Sequence, residues 1–188
     1  MRDLFDLLRA GLAHPEDLAF YTRSFEPRRL YLENSVLLLI LAVAIIAVTL
    51  AVRGLFQPQV LLILPLAFLL TGLCGLLAFV WAVNSKGEGT LYQTVMATPA
   101  SLFFPALVTL ILLTVNRLMI LPAMADGPTI LFQLLDVASS LLGPIFGCVL
   151  YAQLLRKLHN LKGKHAVGAS LVSLFATLVV TYLLGNLL

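Results

Sequence analysis

Apolar residues fall along this chain in five long runs, each ended by a short polar stretch. The first is VLLLILAVAIIAVTLAV, from Val36 to Val52, and the second extends from Val60 to Val83. The third runs from about Thr98 to Leu121, the fourth from Ile130 to Leu155 and the fifth from Ala166 to Leu188. A helix that crosses a bilayer needs about 20 mostly apolar residues. Backbone polar groups inside lipid must be bonded within the protein, so runs of this length are read as helices. The pattern predicts an all-α integral membrane bundle of five transmembrane helices, with connections short enough to make successive helices antiparallel neighbours.

Ahead of the first run the pattern is amphipathic. Leu4, Phe5, Leu8 and Leu12 share one helical face, and Arg2, Asp6 and Arg9 lie on another. Such a stripe suits a helix lying in the membrane interface. Pro15 suits the first turn of a second short helix, with Glu16 and Asp17 favourable at its N-terminus. The chain therefore divides into an interfacial segment, residues 1–33, and a five-helix transmembrane domain, residues 34–188. MRDLFDLLRAGLAHPEDL has no continuous apolar stretch and carries charges of both signs, which argues against a cleavable signal peptide.

Composition strengthens the membrane reading. Hydrophobic residues make up 61% and charged residues 11% of the 188, with a mean hydropathy of +1.03. A soluble domain has about 25% charged residues. The net charge of +3 needs no nucleic acid to explain it. With five spans, Arg2, Arg9, Arg23, Arg28, Arg29, Lys86, Arg156, Lys157, Lys162 and Lys164 fall on one side, and only Arg53 and Arg117 on the other. The excess of Lys and Arg marks the cytoplasmic side. The N-terminus is expected in the cytoplasm and the C-terminus outside. Arg28 and Arg29, just before the first span, either contact anionic lipid headgroups or only fix the topology.

Candidate chemistry is sparse. Asp136 is an acidic residue well inside a predicted span, about 9 Å past Ile130 at 1.5 Å per residue. An ionised carboxylate at mid-bilayer costs about 2.5–3.5 kcal/mol, and less near the surface. Asn116 and Arg117, at the outer end of the third span, are its candidate partners. The residues below Asp136 read as packing. Ser140, Gly143, Gly147 and Tyr151 recur at helical spacing, and GPIFG is a GxxxG that lets helix backbones approach. Pro105 and Pro144 each remove a helical hydrogen bond, and the two kinked helices are read as curved walls of the bundle in preference to the walls of a cavity. In the fifth span Ser170, Ser173, Thr177 and Thr181 form a hydroxyl stripe on one face.

Cys74 and Cys148 have no CxxC or Cys/His neighbour and read as small packing residues. His14, His159 and His165 are expected in charged cytoplasmic surroundings, without HExxH spacing. NSKGEGTLYQ lacks the spacing of a phosphate-binding loop. Asp136 is expected across the membrane from every histidine, so no Ser/His/Asp grouping is available. No catalytic residue, metal ligand or cofactor site is assigned.

Three segments carry a resemblance. LAHPEDLAFYTRSFEPRRLYLENSVLLLIL joins a Pro-initiated interfacial helix, through a second proline, to the first span. GTLYQTVMATPASLFFPALVTLIL sets a Tyr before a Pro-containing third span. In LLDVASSLLGPIFGCVLYAQLLRKLHNLKGKHAV an Asp precedes a small and hydroxylated stretch, and a basic turn follows. Over nearly its whole length the chain resembles the Yip (Rab-interacting) integral membrane protein family, in its bacterial branch. The long cytoplasmic region and acidic-Tyr-Gly-Pro signature of eukaryotic members are not found, so Rab binding is not carried over. The resemblance implies a non-enzymatic multi-span scaffold or accessory subunit of the bacterial inner membrane, with lipids and another membrane protein or its own copies as partners. A small transporter or channel component using Asp136, and a lipid-handling or membrane-shaping protein, are the other readings.

Asp136→Asn is expected to leave the yield of monodisperse protein in detergent unchanged, as befits a neutral hydrogen-bonding group. A severe loss of expression would identify a paired charge instead.

Overall fold

The computed structural model describes residues 27–53, 62–115 and 130–187, together with Arg9 and Ala19. Five helices make up the described chain: α1 (Pro27–Arg53), α2 (Ile63–Asn84), α3 (Leu91–Val115), α4 (Ile130–Leu158) and α5 (Gly163–Leu187). No strand occurs among the described residues. All five helices are long and apolar enough to cross a membrane, as in a multi-pass membrane protein. The expected interfacial helices of residues 1–26 lie outside the described residues, as do Asn116 and Arg117.

Neighbour relations give the architecture. The most extensive packing is between α3 and α4; α4 also packs on α5, α5 on α2, and α2 on α3, closing a four-helix ring. α1 lies against α3 and, less extensively, α2. Each contact in the ring except α2 with α5 joins sequence neighbours, as short connections require. The helix starts follow local chemistry. Pro27 opens α1, where its fixed φ and missing N–H cost nothing. α1 thus runs through position 34, where the sequence pattern divides the chain.

The third span starts seven residues earlier than its apolar run implies, at Leu91 and not Thr98. The reason is a capping box. The Thr90 N–H donates to Gln93 Oε1 at 3.2 Å, and the Gln93 N–H donates to Thr90 Oγ1 at 3.3 Å. Two otherwise orphaned donors are satisfied reciprocally, and the helix begins there. Pro99 and Pro105 are both accommodated inside α3.

Small residues set the helix separations. Gly143 and Gly147 of α4 face α3 around Pro105 and Thr109. A Cβ built on Gly143 would collide with Thr109 Oγ1, and would lie 2.8 Å from the Pro105 carbonyl oxygen. The GPIFG face is therefore occupied within the chain. Pro105 and Pro144 do more than curve the bundle wall. They flank an open apolar cavity of about 430 Å³, lined also by Ile45, Leu102, Gly143 and Leu174. The cavity persists because Gly143 and Gly147 bring backbones close without filling the adjacent space.

Gly143→Ala is expected to destabilise the bundle by about 1–3 kcal/mol through overpacking, read as a lower Tm in detergent. Thr109→Ala in the same chain should restore part of that loss. Gly72→Ala, where a Cβ meets nothing within 4 Å, should be neutral or stabilising by up to about 1 kcal/mol.

Candidate functional site

One end of the ring is closed by two loops built alike. After α2, Lys86 takes a left-handed conformation with φ of 63°. The Lys86 N–H donates to the Val83 carbonyl at 3.0 Å, and the Gly87 N–H to the Ala82 carbonyl at 2.8 Å. After α4, Asn160 does the same with φ of 53°, and the Leu161 N–H reaches the Arg156 carbonyl at 3.0 Å. Both are Schellman endings, which satisfy the last carbonyls of a helix. The Glu88 N–H then donates to the His159 carbonyl at 3.1 Å and fastens one loop to the other. Gly89 lies against the imidazole of His159: a Cβ there would sit 2.5 Å from Nδ1.

The second ending decides where His159 points. It is the residue at which α4 stops, and its ring turns inward and is fully buried. This corrects the expectation that it stands among the neighbouring lysines. The imidazole lies 6.2 Å from the Phe79 ring, centroid to centroid. Its Nε2 is 2.7 Å from Thr94 Oγ1. Thr94 Oγ1 also lies 2.8 Å from the Thr90 carbonyl, which can only accept. A hydroxyl has one proton, so Thr94 gives it to Thr90 and the imidazole donates from Nε2.

The same proton accounting continues inward. Thr98 Oγ1 donates to the Thr94 carbonyl at 2.8 Å, and Tyr151 donates its phenol proton to Thr98 Oγ1 at 2.9 Å. Tyr151, on α4, is fully buried. Cys74 of α2 is fully buried in the same core cluster as Tyr151. Ser173 Oγ donates to the Ser170 carbonyl at 3.1 Å, and Thr177 Oγ1 to the Ser173 carbonyl at 2.7 Å. Ser170 Oγ in turn donates to the Cys148 carbonyl of α4 at 2.8 Å. The result is a polar column on the bundle axis, with a side chain from each of the four ring helices. α1 joins from the side, where Asn34 Nδ2 donates to the Met96 carbonyl at 2.7 Å.

The site residues expected from sequence are distributed unevenly around this column. Ser173 and Thr177 belong to it, and Gly143 and Gly147 face α3 beyond it. Arg28, Arg29, Asp136, Ser140 and Thr181 lie on helices whose backbone is described, but their side chains lie outside the described set. Tyr151 and Cys74 are read from sequence only as packing residues, and Thr94, Thr98 and His159 are not singled out there as part of a polar site. A signal for part of them existed: Thr90, Thr94, Thr98 and Ser101 follow the helical spacing that marked the hydroxyl stripe of the fifth span.

Chemically, the column holds groups that can both donate and accept, sealed from solvent. It links helices, and each link satisfies a group that would be costly to leave bare in an apolar bundle. Among the described residues no group of three or more His, Cys, Asp or Glu side chains converges. No protein-family model, curated protein or solved structure matches the chain.

Tyr151→Phe is expected to cost about 0.5–1.5 kcal/mol, because Thr98 keeps its backbone acceptor. His159→Ala should cost more, since it also opens a void beside Phe79 and Gly89. Thermal unfolding in detergent checks both, and a double cycle of Thr98→Ala with Tyr151→Phe should show coupling between the two hydroxyls.

Proposed function

We propose that the chain is a non-enzymatic, multi-span membrane scaffold or accessory subunit of the Yip-like type, embedded in a bacterial inner membrane. The observation that carries this reading is the use of buried polar side chains to bond one helix to another. Thr94 with His159, Thr98 with Tyr151, Ser170 with Cys148 and Asn34 with Met96 all fix one helix to another. A bundle organised in this way is a rigid body that presents its outer faces. Those faces are apolar and continuous: Val137, Leu141, Ile145 and Val149 follow one stripe of α4, and Leu171, Phe175 and Leu178 another of α5. In a membrane such stripes meet lipid or the helices of a partner.

The looped end sealed by Glu88 and His159 faces the cytoplasm in this reading, in accord with Lys86, Arg156, Lys157, Lys162 and Lys164 clustered there. The GPIFG face is not the partner surface, because α3 already covers it.

Two measurements test the proposal. Single cysteines at positions 86 and 162 should resist a membrane-impermeant thiol reagent in intact cells, while one at position 126 is labelled. Purification in mild detergent should recover a stoichiometric membrane-protein partner or a defined homo-oligomer. A monodisperse monomer that moves ions in proteoliposomes would overturn the scaffold reading.

A further inference from the structure

A second cavity, separate from the polar column, opens between α4 and α5 next to their connecting turn. It has a volume of about 280 Å³ and its lining includes Val149, Ala152, Gln153, Arg156, Gly163 and Val167. Its walls are overwhelmingly apolar and it is open to the outside of the bundle. Its loop end is cationic. Arg156 lines it, and Lys157, Lys162 and Lys164 are exposed on the same α4–α5 turn and the residues that flank it. The first turn of α5, with its partial positive charge, lies there as well. That turn carries no acidic residue, and the sequence has no carboxylate anywhere from Val137 to Leu188. Glu88 is the acidic residue of the facing loop, tied to the turn through the His159 carbonyl. Gly163 leaves the start of α5 uncovered, since a Cβ there would meet nothing within 4 Å.

An apolar cleft that opens on the outside of the bundle and ends in an excess of positive charge, four cations to the one carboxylate of Glu88, matches one chemistry, an acyl chain joined to an anionic headgroup. Basic pockets between transmembrane helices are known to take such headgroups. We propose that the α4–α5 cleft binds an anionic glycerophospholipid. Its acyl chain lies against Val149, Ala152 and Val167, and its phosphate meets Arg156 and the first turn of α5. Gln153, one turn before Arg156, is placed to hydrogen-bond the ester or glycerol oxygens. The proposal rests on the membrane-spanning reading of the chain and not on its role as a scaffold.

The test uses the full chain, purified and delipidated in detergent, with phosphatidylglycerol and phosphatidylcholine as probes and bound lipid counted by native mass spectrometry. Phosphatidylglycerol should be retained in preference to phosphatidylcholine. Arg156→Gln should lower its retention about fivefold, the equivalent of about 1 kcal/mol for one cation at a membrane surface. Arg156→Lys should preserve it. Val149→Trp, which fills the cleft from its exposed rim, should reduce retention of both lipids. Lys86→Gln removes the same charge from the other loop and should change nothing. Arg156 and Val149 are exposed, so the lipid-free Tm of each variant should match that of the parent.

Equal retention of the two lipids would overturn the proposal, as would equal losses from Arg156→Gln and Lys86→Gln. So would undiminished binding in Val149→Trp, or displacement of the lipid by inorganic phosphate. Failure of the membrane-spanning reading shows separately, as release of the protein from membranes by alkaline carbonate.

Discussion

Burying a polar group in an apolar helical bundle is tolerable only when that group finds a partner, and the pairing of His159 with Thr94 is where this constraint organises the molecule. The imidazole stands at the junction of two helix ends, a loop and the polar column. Its backbone carbonyl holds the α2–α3 loop through Glu88, while its ring holds α3 through Thr94. Moving it would disturb both links at once. An interhelical hydrogen bond in a membrane protein contributes about 0.6 kcal/mol on average, which is modest. A buried group left without a partner costs several kcal/mol. The column therefore matters less for what each bond adds than for the alternatives it excludes: a rotated or shifted α3 would strand Tyr151 and His159 together.

That asymmetry explains how small residues and polar residues divide the labour. Lipid tails are as apolar as leucine side chains, so the hydrophobic effect does little to hold one spanning helix against another. Close backbone approach at Gly143 and Gly147 gives dispersion contact between α3 and α4. The hydroxyl, phenol and imidazole groups nearer the looped end then fix which rotation of the two helices is allowed. Packing brings the helices together, and the hydrogen bonds set their register.

The five spans were legible in the sequence because a run of apolar residues is a direct imprint of the bilayer. The start of the third was not. Thr90, Gln93 and Thr94 look like loop residues to a hydropathy count, yet two of them cap the helix and the third, bonded back to the Thr90 carbonyl, accepts from His159 within the first turn. Half of the polar column was visible as the hydroxyl stripe of the fifth span, since Ser170, Ser173 and Thr177 share a face by spacing alone. Its other half was hidden for a local reason. His159 follows Arg156 and Lys157 in sequence and reads as part of a basic, solvated turn. The left-handed residue at Asn160 reverses the chain there, and that reversal sends the imidazole into the core while the lysines remain outside. Sequence neighbours share a charge environment only where the backbone keeps them on one surface.

The same reversal produces the contrast between the inside and the outside of this turn. Within the bundle, His159 Nε2 and the Tyr151 hydroxyl meet partners on α3. On the outer surface, Arg156 and the start of α5 gather positive charge with no carboxylate in that half of the chain to balance it. A helix C-terminus favours the nearby Arg156 and Lys157, but the N-terminus of α5 adjoins it and disfavours them. An Asp or Glu in the first turn of α5 would relieve that conflict, and the sequence has none. In water the imbalance would be screened within about 10 Å at 0.1 M salt. At the edge of a bilayer anionic headgroups are the abundant counter-charge, which is the basis of the lipid site proposed for the cleft. A closed polar interior and an open cationic cleft thus arise from one short turn, and the two can be altered separately because His159 faces one and Arg156 the other.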